Sequence, residues 1–392
     1  MSGRPRPEVA GSGRTAGRPV VVAAYRTPLG TAGGKLASVQ APDLAAPVLA
    51  ALADALPEPV REVVLGNCMG PGGDLARVAS LTAGLPVEVP ALTVDRQCAS
   101  GLAAIDVAAG LVAGRGGVVL AGGIESASTA PWRFWPGTSE RPPQRYERAP
   151  FAPESVGDPD MGLAADVLAE KAGIPRSRQD AYAARSHARA VATRDAGGFD
   201  AEIVPVGPVH RDERPRAGLT EQRLARLRPA YRPAADGGTV TAGNACGIND
   251  GAAAVALVDD ETHRRLGVPG LRVLATATAG VEPNLPGLGL VPAVQQALVL
   301  AGLTLGDLDV IELNEAFAGQ VLACCDALAL DPDRVCGQGG ALALGHPWGA
   351  SGAVLVVRLF SQLVRADYGR YGLAAIAAGG GQGVAMVVER CR

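Results

Sequence analysis

Cys98 stands between the strand-like Ala91 to Val94 and an apolar, alanine-rich stretch of helical spacing that begins at Gly101. A thiol just ahead of a helix meets unpaired backbone N–H groups and the positive end of the helix dipole, and both favour the nucleophilic thiolate. Free cysteines are also common as small, inert core residues, so position alone does not make Cys98 catalytic. Two further segments bear on it: LNEAF, Leu313 to Phe317, and GGALALGHPWGASG, Gly339 to Gly352, whose His346 is held between Gly345 and Pro347 and is one of only four histidines. A thiolate, a neighbouring base and donors for a thioester oxygen that gains negative charge are what acyl transfer requires. Nucleotide loops fit less well. GGGQG, Gly379 to Gly383, has Val384 where G-x-G-x-x-G needs its last glycine, and Gly34-Lys35 lacks the Ser or Thr of a P-loop.

The elements that must position these residues follow from hydrophobic pattern. Short apolar runs, Val20 to Ala24, Val118 to Ala121, Ala252 to Val258 and Leu373 to Ala378, read as buried strands. Longer stretches, Asp43 to Leu56, Gly101 to Ala113, Pro292 to Ala301 and Ala353 to Val364, read as helices, and the alternation predicts an α/β fold. An internal echo sharpens this. The run from Cys98, CASGLAAIDVAAGLVAGRGGVVLAGG, is matched from Gly349 by GASGAVLVVRLFSQLVRADYGRYGLAAIAAGGG, each with Ala-Ser-Gly, helix, strand and a glycine cluster. A duplicated α/β unit is expected. Prolines and the aromatics Trp132, Phe134, Trp135, Tyr146 and Phe151 then mark an inserted loop domain. It continues through helical segments at Met161 to Lys171 and Arg178 to Asp195 and a basic stretch, Arg211 to Arg232.

Composition bounds the function. With 392 residues, 48% apolar and a formal net charge of -3, the chain can bury two or three sizeable cores. Arginine so outnumbers lysine, of which only Lys35 and Lys171 occur, that codon usage explains the bias; nucleic acid is not an expected partner. Seven cysteines without a C-x-x-C pair argue against zinc and against a disulfide framework, so no metal is expected. The first eighteen residues show no signal or membrane anchor and read as a disordered tail of a cytoplasmic protein.

VDRQCASGL around Cys98, the NEAF box at Asn314 to Phe317 and the G-H-P at His346 resemble the thiolase family, over nearly the whole chain from about Val20. The resemblance implies a thiolase-like α/β fold of two duplicated halves, residues 19–125 with 249–270 and residues 271–392, around an inserted coenzyme A-binding loop domain, 126–248. It implies that Cys98 accepts the acyl group with His346 as base. Asn314 would hold a water that forms one oxyanion hole with His346, and the N–H groups of Cys98 and Gly379 would form the other. Arg216 would pack on the adenine of coenzyme A and Tyr231 would line the pantetheine channel. Cys246, in place of a serine, would keep a pantetheine contact, and Met161 and Phe317 would line the acyl end. Coenzyme A thioesters, or a carrier-protein equivalent, would be substrates, no cofactor would stay bound, and a homodimer or homotetramer is expected by analogy.

The pattern breaks at Ala377, where the family carries its second cysteine, the acid/base for carbon–carbon chemistry. An alanine methyl moves no proton, and nothing in the sequence places Cys246, Cys325 or Cys336 to replace it. Acetyl-CoA acetyltransferase-like condensation and thiolysis are therefore expected to be impaired or specialised. A non-catalytic acyl-binding scaffold and a decarboxylating ketosynthase are the competing readings. Asp160, where short-chain members have histidine, and Trp348 predict a retuned, narrower site.

Overall fold

The computed structural model describes Gly17 to Arg392. Of the tail expected over residues 1–18, residues 1–16 lie outside the described residues. The remainder is already tied down, since the Arg18 backbone N–H donates to Asp260 at 3.1 Å.

The first half runs β1 (Val20–Arg26), β2 (Gly30–Thr31), α1 (Ala41–Asp54), β3 (Val60–Gly66), α2 (Leu75–Thr82), β4 (Ala91–Val94), α3 (Ser100–Arg115) and β5 (Val118–Ser126). A long excursion carries the hairpin β6 (Arg133–Trp135) and β7 (Gln144–Tyr146), then α4 (Met161–Lys171), α5 (Arg176–Asp195) and α6 (Glu221–Leu224). The chain returns as β8 (Asn249–Val258) and α7 (Asp260–Leu266). The second half is β9 (Gly270–Gly280), α8 (Leu290–Ala301), β10 (Val310–Leu313), α9 (Ala318–Ala327), α10 (Ala341–Leu344), α11 (Trp348–Phe360), β11 (Tyr371–Ala378) and β12 (Gln382–Cys391).

The main sheet orders these strands β10-β11-β12-β9-β1-β8-β5-β3-β4, with β2 beside β8. Its two halves meet only where Val20 and Val21 of β1 face Arg272 and Leu271 of β9. Every residue of β5 and β8 is buried because helices cover both faces, which is why these strands read as unbroken apolar runs. Three apolar clusters match the layering. One puts α1 and α2 on the outer face of the first half, one puts α8 and α9 on the outer face of the second, and the third holds α3 and α11 between them.

The Ala-Ser-Gly echo has a packing cause. A Cβ on Gly101 would lie 2.8 Å from the Gly349 carbonyl oxygen and 2.9 Å from the Ala353 nitrogen, and one on Gly352 would lie 2.5 Å from the Leu102 nitrogen. The two equivalent helices cross backbone against backbone, and only glycine leaves room. Among the described residues, Gln97–Arg115 is the one helix long and apolar enough to span a membrane, and it is this central helix. The excursion shares a core with the second half, Leu168, Tyr182 and Leu224 packing in the cluster of Leu290, Val321 and Leu373. Its aromatic hairpin faces outward, with Trp135 stacked on Tyr146 at 4.7 Å and Trp132 under Arg145.

Candidate active site

Cys98 occupies the turn from β4 into α3. Gln97 before it has φ of +49°, a conformation that residues with side chains seldom adopt. Ser100 holds the turn shut, its Oγ accepting the Arg96 N–H at 2.7 Å and donating to the Gln97 carbonyl at 2.6 Å. Below, the buried Glu125 carboxylate at the end of β5 accepts from the backbone N–H groups of Cys68 (3.2 Å), Met69 (3.0 Å) and Gly349 (2.9 Å) and from the Asn67 amide (3.0 Å). One acid thus ties the loop after β3 to the start of α11. The expected thiolate is corrected by these surroundings. Burial, then the nearby Cys246 thiol, push the Cys98 thiol up to about 12, although the backbone N–H groups of Cys98 and Gly379 pull the other way. Loss of hydration outweighs the helix start, so Cys98 rests as a neutral thiol and needs a base to attack.

His346 has the form of that base. Burial pushes its imidazole down to about 3, so it is neutral near pH 7. Its Nδ1 is 2.5 Å from Ser351 Oγ, which in turn is 2.9 Å from the Pro347 carbonyl. A carbonyl only accepts and a hydroxyl has one proton to give, so Ser351 donates to Pro347 and accepts from Nδ1–H. The free lone pair is therefore on Nε2, which faces the Asn314 amide nitrogen at 3.5 Å. The backbone N–H of His346 donates to Asn249 Oδ1 at 3.0 Å, and Asn249 Nδ2 donates to the Gly30 carbonyl at 2.7 Å. Gly345, at φ +116°, admits this because a Cβ there would strike the Asn249 side chain. Asn314 is buried and its Oδ1 has no protein partner. Its neighbour Glu315 anchors the NEAF turn, accepting from Tyr182 Oη (2.9 Å), Ser186 Oγ (2.6 Å) and the Leu342 N–H (3.1 Å).

Ser351, Asn249, Glu125 and Glu315 were not singled out from sequence. Ser351 was reachable, since it is the serine of the repeated Ala-Ser-Gly; the others act through contacts far apart in the chain. Among the described residues no hydrogen bond joins Cys98 directly to His346.

A cavity of about 40 Å³ opens on Cys98, walled by Met161, Leu168, Pro286, Phe317 and Ala377 among others. Met161, Phe317 and Ala377 thus share a site with the nucleophile. Phe317 bridges to Ala245, and Tyr231 meets its ring edge-on at 6.5 Å. Cys246, next along, donates its N–H to the Ala316 carbonyl at 2.9 Å. Arg216 is exposed and away from this cavity, its backbone N–H donating to His187 Nδ1 at 3.3 Å.

Two families match the chain, "Thiolase, N-terminal domain" over residues 19–261 and "Thiolase, C-terminal domain" over residues 269–390. The chain belongs to the thiolase family. It is 43% identical to an acetyl-CoA acetyltransferase of Pseudomonas aeruginosa, over 95% of this chain and 99% of that one. It is 42% identical to a β-ketoadipyl-CoA thiolase of Acinetobacter baylyi, over 94% and 98%. The crystal structure of the Bacillus anthracis acetyl-CoA acetyltransferase superposes with a TM-score of 0.87 at 37% identity, covering 96% of this chain and 99% of that one. Like these relatives, this thiolase is an acyltransferase.

Asp160 and Trp348, the positions expected to differ from the family pattern, each belong to a helix start in the thiolase. Asp160 caps α4, its carboxylate accepting from the N–H groups of Gly162 (2.8 Å) and Leu163 (3.2 Å). Trp348 opens α11 and is not among the residues that line the Cys98 cavity, so the narrowing expected from it is not observed there.

Proposed function

We propose that this thiolase takes a short acyl group from coenzyme A onto Cys98 and passes it to a second acceptor, with its carbon–carbon step specialised by Ala377. One observation carries the reading: Cys98, whose thiol the backbone N–H groups of Cys98 and Gly379 favour in its ionised form, opens on an apolar cavity of about 40 Å³. A water needs ~10–15 Å³ on this measure, so there is room for an acyl group of a few non-hydrogen atoms. In the first half-reaction His346 Nε2 takes the Cys98 proton as sulfur attacks the thioester carbon. The two N–H groups hold the oxygen that becomes negative, and the imidazolium returns its proton to the departing coenzyme A thiolate. Asn314, whose Oδ1 is unpartnered, is suited to order a water beside His346. In this reading Tyr231 and Cys246 contact the pantetheine arm, and the exposed Arg216 stacks on the adenine.

Intact-mass measurement after mixing with acetyl-CoA tests this: an acetyl adduct on Cys98 is expected, and Cys98→Ser should abolish it because a serine hydroxyl is a far poorer nucleophile. An adduct retained by that variant would sink the assignment. Ala377 lines the same cavity, so a thiol introduced there reaches the acyl group. Ala377→Cys should raise acetoacetyl-CoA thiolysis by ~10-fold or more, within the ~100- to 10,000-fold that general acid–base groups contribute. The gain should appear in kcat, with Cys98 acylation unaltered; thiolysis that does not respond would show that position 377 is not where the proton is handled.

A further inference from the structure

The absence of a thiol at position 377 leaves the α-proton without an obvious carrier, and the structure brings another thiol to the site. Residues 245–246 run beside the NEAF turn, through the Ala245–Phe317 bridge and the bond from the Cys246 N–H to the Ala316 carbonyl, and both Ala316 and Phe317 wall the Cys98 cavity. Cys246 is close enough to Cys98 that their ionisations oppose each other. The remaining thiols are committed elsewhere: Cys68 donates to the Gln97 carbonyl, Cys324 to that of Gly287 and Cys336 to that of Leu313, while Cys325 is buried beside Asp326 and Cys391 is buried at the end of β12. Cys246 Sγ has no hydrogen-bond partner among the described residues.

Beside it lies a cation that wants an anion. The Arg214 guanidinium packs on the face of residue 247, where a Cβ would come within 2.2 Å of its Nη1; Gly247 is what lets it approach. Arg214 Nε is buried without a hydrogen bond, and no carboxylate pairs with Arg214 among the described residues. The groups around it, Arg216 and the buried, neutral His187, supply no negative charge. A half-buried guanidinium with no counter-ion is costly, and the group able to become negative that acts on it is the Cys246 thiol. Burial raises that thiol to about 12 and Arg214 acts against the rise.

We propose that Cys246 is the acid/base of the carbon–carbon step, with Arg214 as the positioning cation that stabilises its thiolate. This rests on the acyl-Cys98 reading above. In condensation the Cys246 thiol first gives its proton to His346 Nε2; the Cα–H bond of the second acyl-CoA then breaks, its proton passing to the Cys246 thiolate and its electron pair into the enolate. The enolate carbon bonds to the acyl carbon as the bond to Cys98 sulfur breaks, and Cys98 leaves as a thiolate that is reprotonated through His346. In thiolysis the same groups run backwards, the Cys246 thiol protonating the departing enolate carbon.

Deuterium exchange into the α-carbon of acetyl-CoA, catalysed by the full-length protein in D₂O, reads this step apart from acylation. The wild-type chain should exchange those protons. Cys246→Ser should slow exchange by ~100-fold or more at saturating acetyl-CoA, far beyond any loss in Cys98 acylation, because a hydroxyl in that place is a much weaker acid and base. Arg214→Leu should slow exchange by ~10-fold and Arg214→Lys by less, since the ammonium keeps the charge. A mere pantetheine contact would show instead as a rise in KM with the saturated rate preserved. Exchange in Cys246→Ser within threefold of wild type, a change confined to KM, or a wild-type chain that forms acyl-Cys98 yet exchanges nothing would each overturn the proposal. Failure to form acyl-Cys98 at all would instead remove the reading on which it stands, and the proposal with it.

Discussion

A neutral imidazole and a neutral thiol are the resting groups at this site, and the imidazole has a thermodynamic signature. Folded His346 stays unprotonated down to about 3, whereas the unfolded chain binds that proton near its ordinary value of 6.5. Between those values the unfolded state holds more protons, so the contribution of His346 to stability is complete above about pH 6.5 and is lost as pH falls toward 3. Over pH 7 to 5 this amounts to ~2 kcal/mol at 1.36 kcal/mol per unit. Urea denaturation of wild type and His346→Asn at the two pH values should show wild type losing that much more; equal losses would mean that the imidazole is already charged in the fold. At this scale Cys98, His346 and Asn314 stood out as candidates because motifs keep their own chemistry. Ser351 and Asn249, which set the tautomer and seat of His346, were not, because their roles are hydrogen bonds formed only after folding.

The crossing of α3 with α11 is what puts the Cys98 turn against the His346 loop. Gly101→Ala removes a poor helix former, worth ~1 kcal/mol in favour of the helix. Against that, the new methyl would press on the Gly349 carbonyl at 2.8 Å and the Ala353 nitrogen at 2.9 Å, backbone atoms that cannot turn aside. Overpacking costs ~1–3 kcal/mol and should win, lowering the melting temperature and slowing Cys98 acylation together. A variant as stable as wild type would show that the helices can separate freely. Some element boundaries followed from pattern: Met161–Lys171 and Ala91–Val94 form where expected. The helix expected over Ala353 to Val364 begins earlier, at Trp348, and ends in a π turn over Ser361–Arg365. Loop glycines around His346 hid its true start.

Across the whole molecule, a buried ionic cluster locks the excursion to both halves. Arg26 of β1 pairs with Asp212 through Nη1 and Nη2 at 2.7 and 2.9 Å and with Glu202 through Nε at 2.7 Å. Glu202 also accepts from Arg358 of α11 and, at 2.5 Å, from Ser361 Oγ. Burial opposes ionisation of Glu202, yet Arg358 and Arg26 outweigh it and hold its carboxyl below the usual range. Glu202→Gln leaves those guanidinium groups short of a counter-ion inside the protein, and should cost ~3–5 kcal/mol by chemical denaturation. A loss under 1 kcal/mol would show that water or Asp212 compensates.

Local pattern was enough to specify the α/β architecture, the duplicated helix-strand unit and the residues proposed to carry acyl transfer, because hydrophobic period and motif chemistry reside in neighbouring residues. Protonation state was beyond its reach. Position before a helix pointed to a thiolate, and only the packed fold, by stripping water from Cys98 and His346, makes both neutral. The same holds for Cys246 and Arg214. Nothing in their spacing joins them to Cys98; the NEAF turn, folding against residues 245–246, brings that thiol to the nucleophile and leaves an unpaired guanidinium beside it. Burial and proximity across the chain are properties of the tertiary structure, and they decide how this site can move its protons.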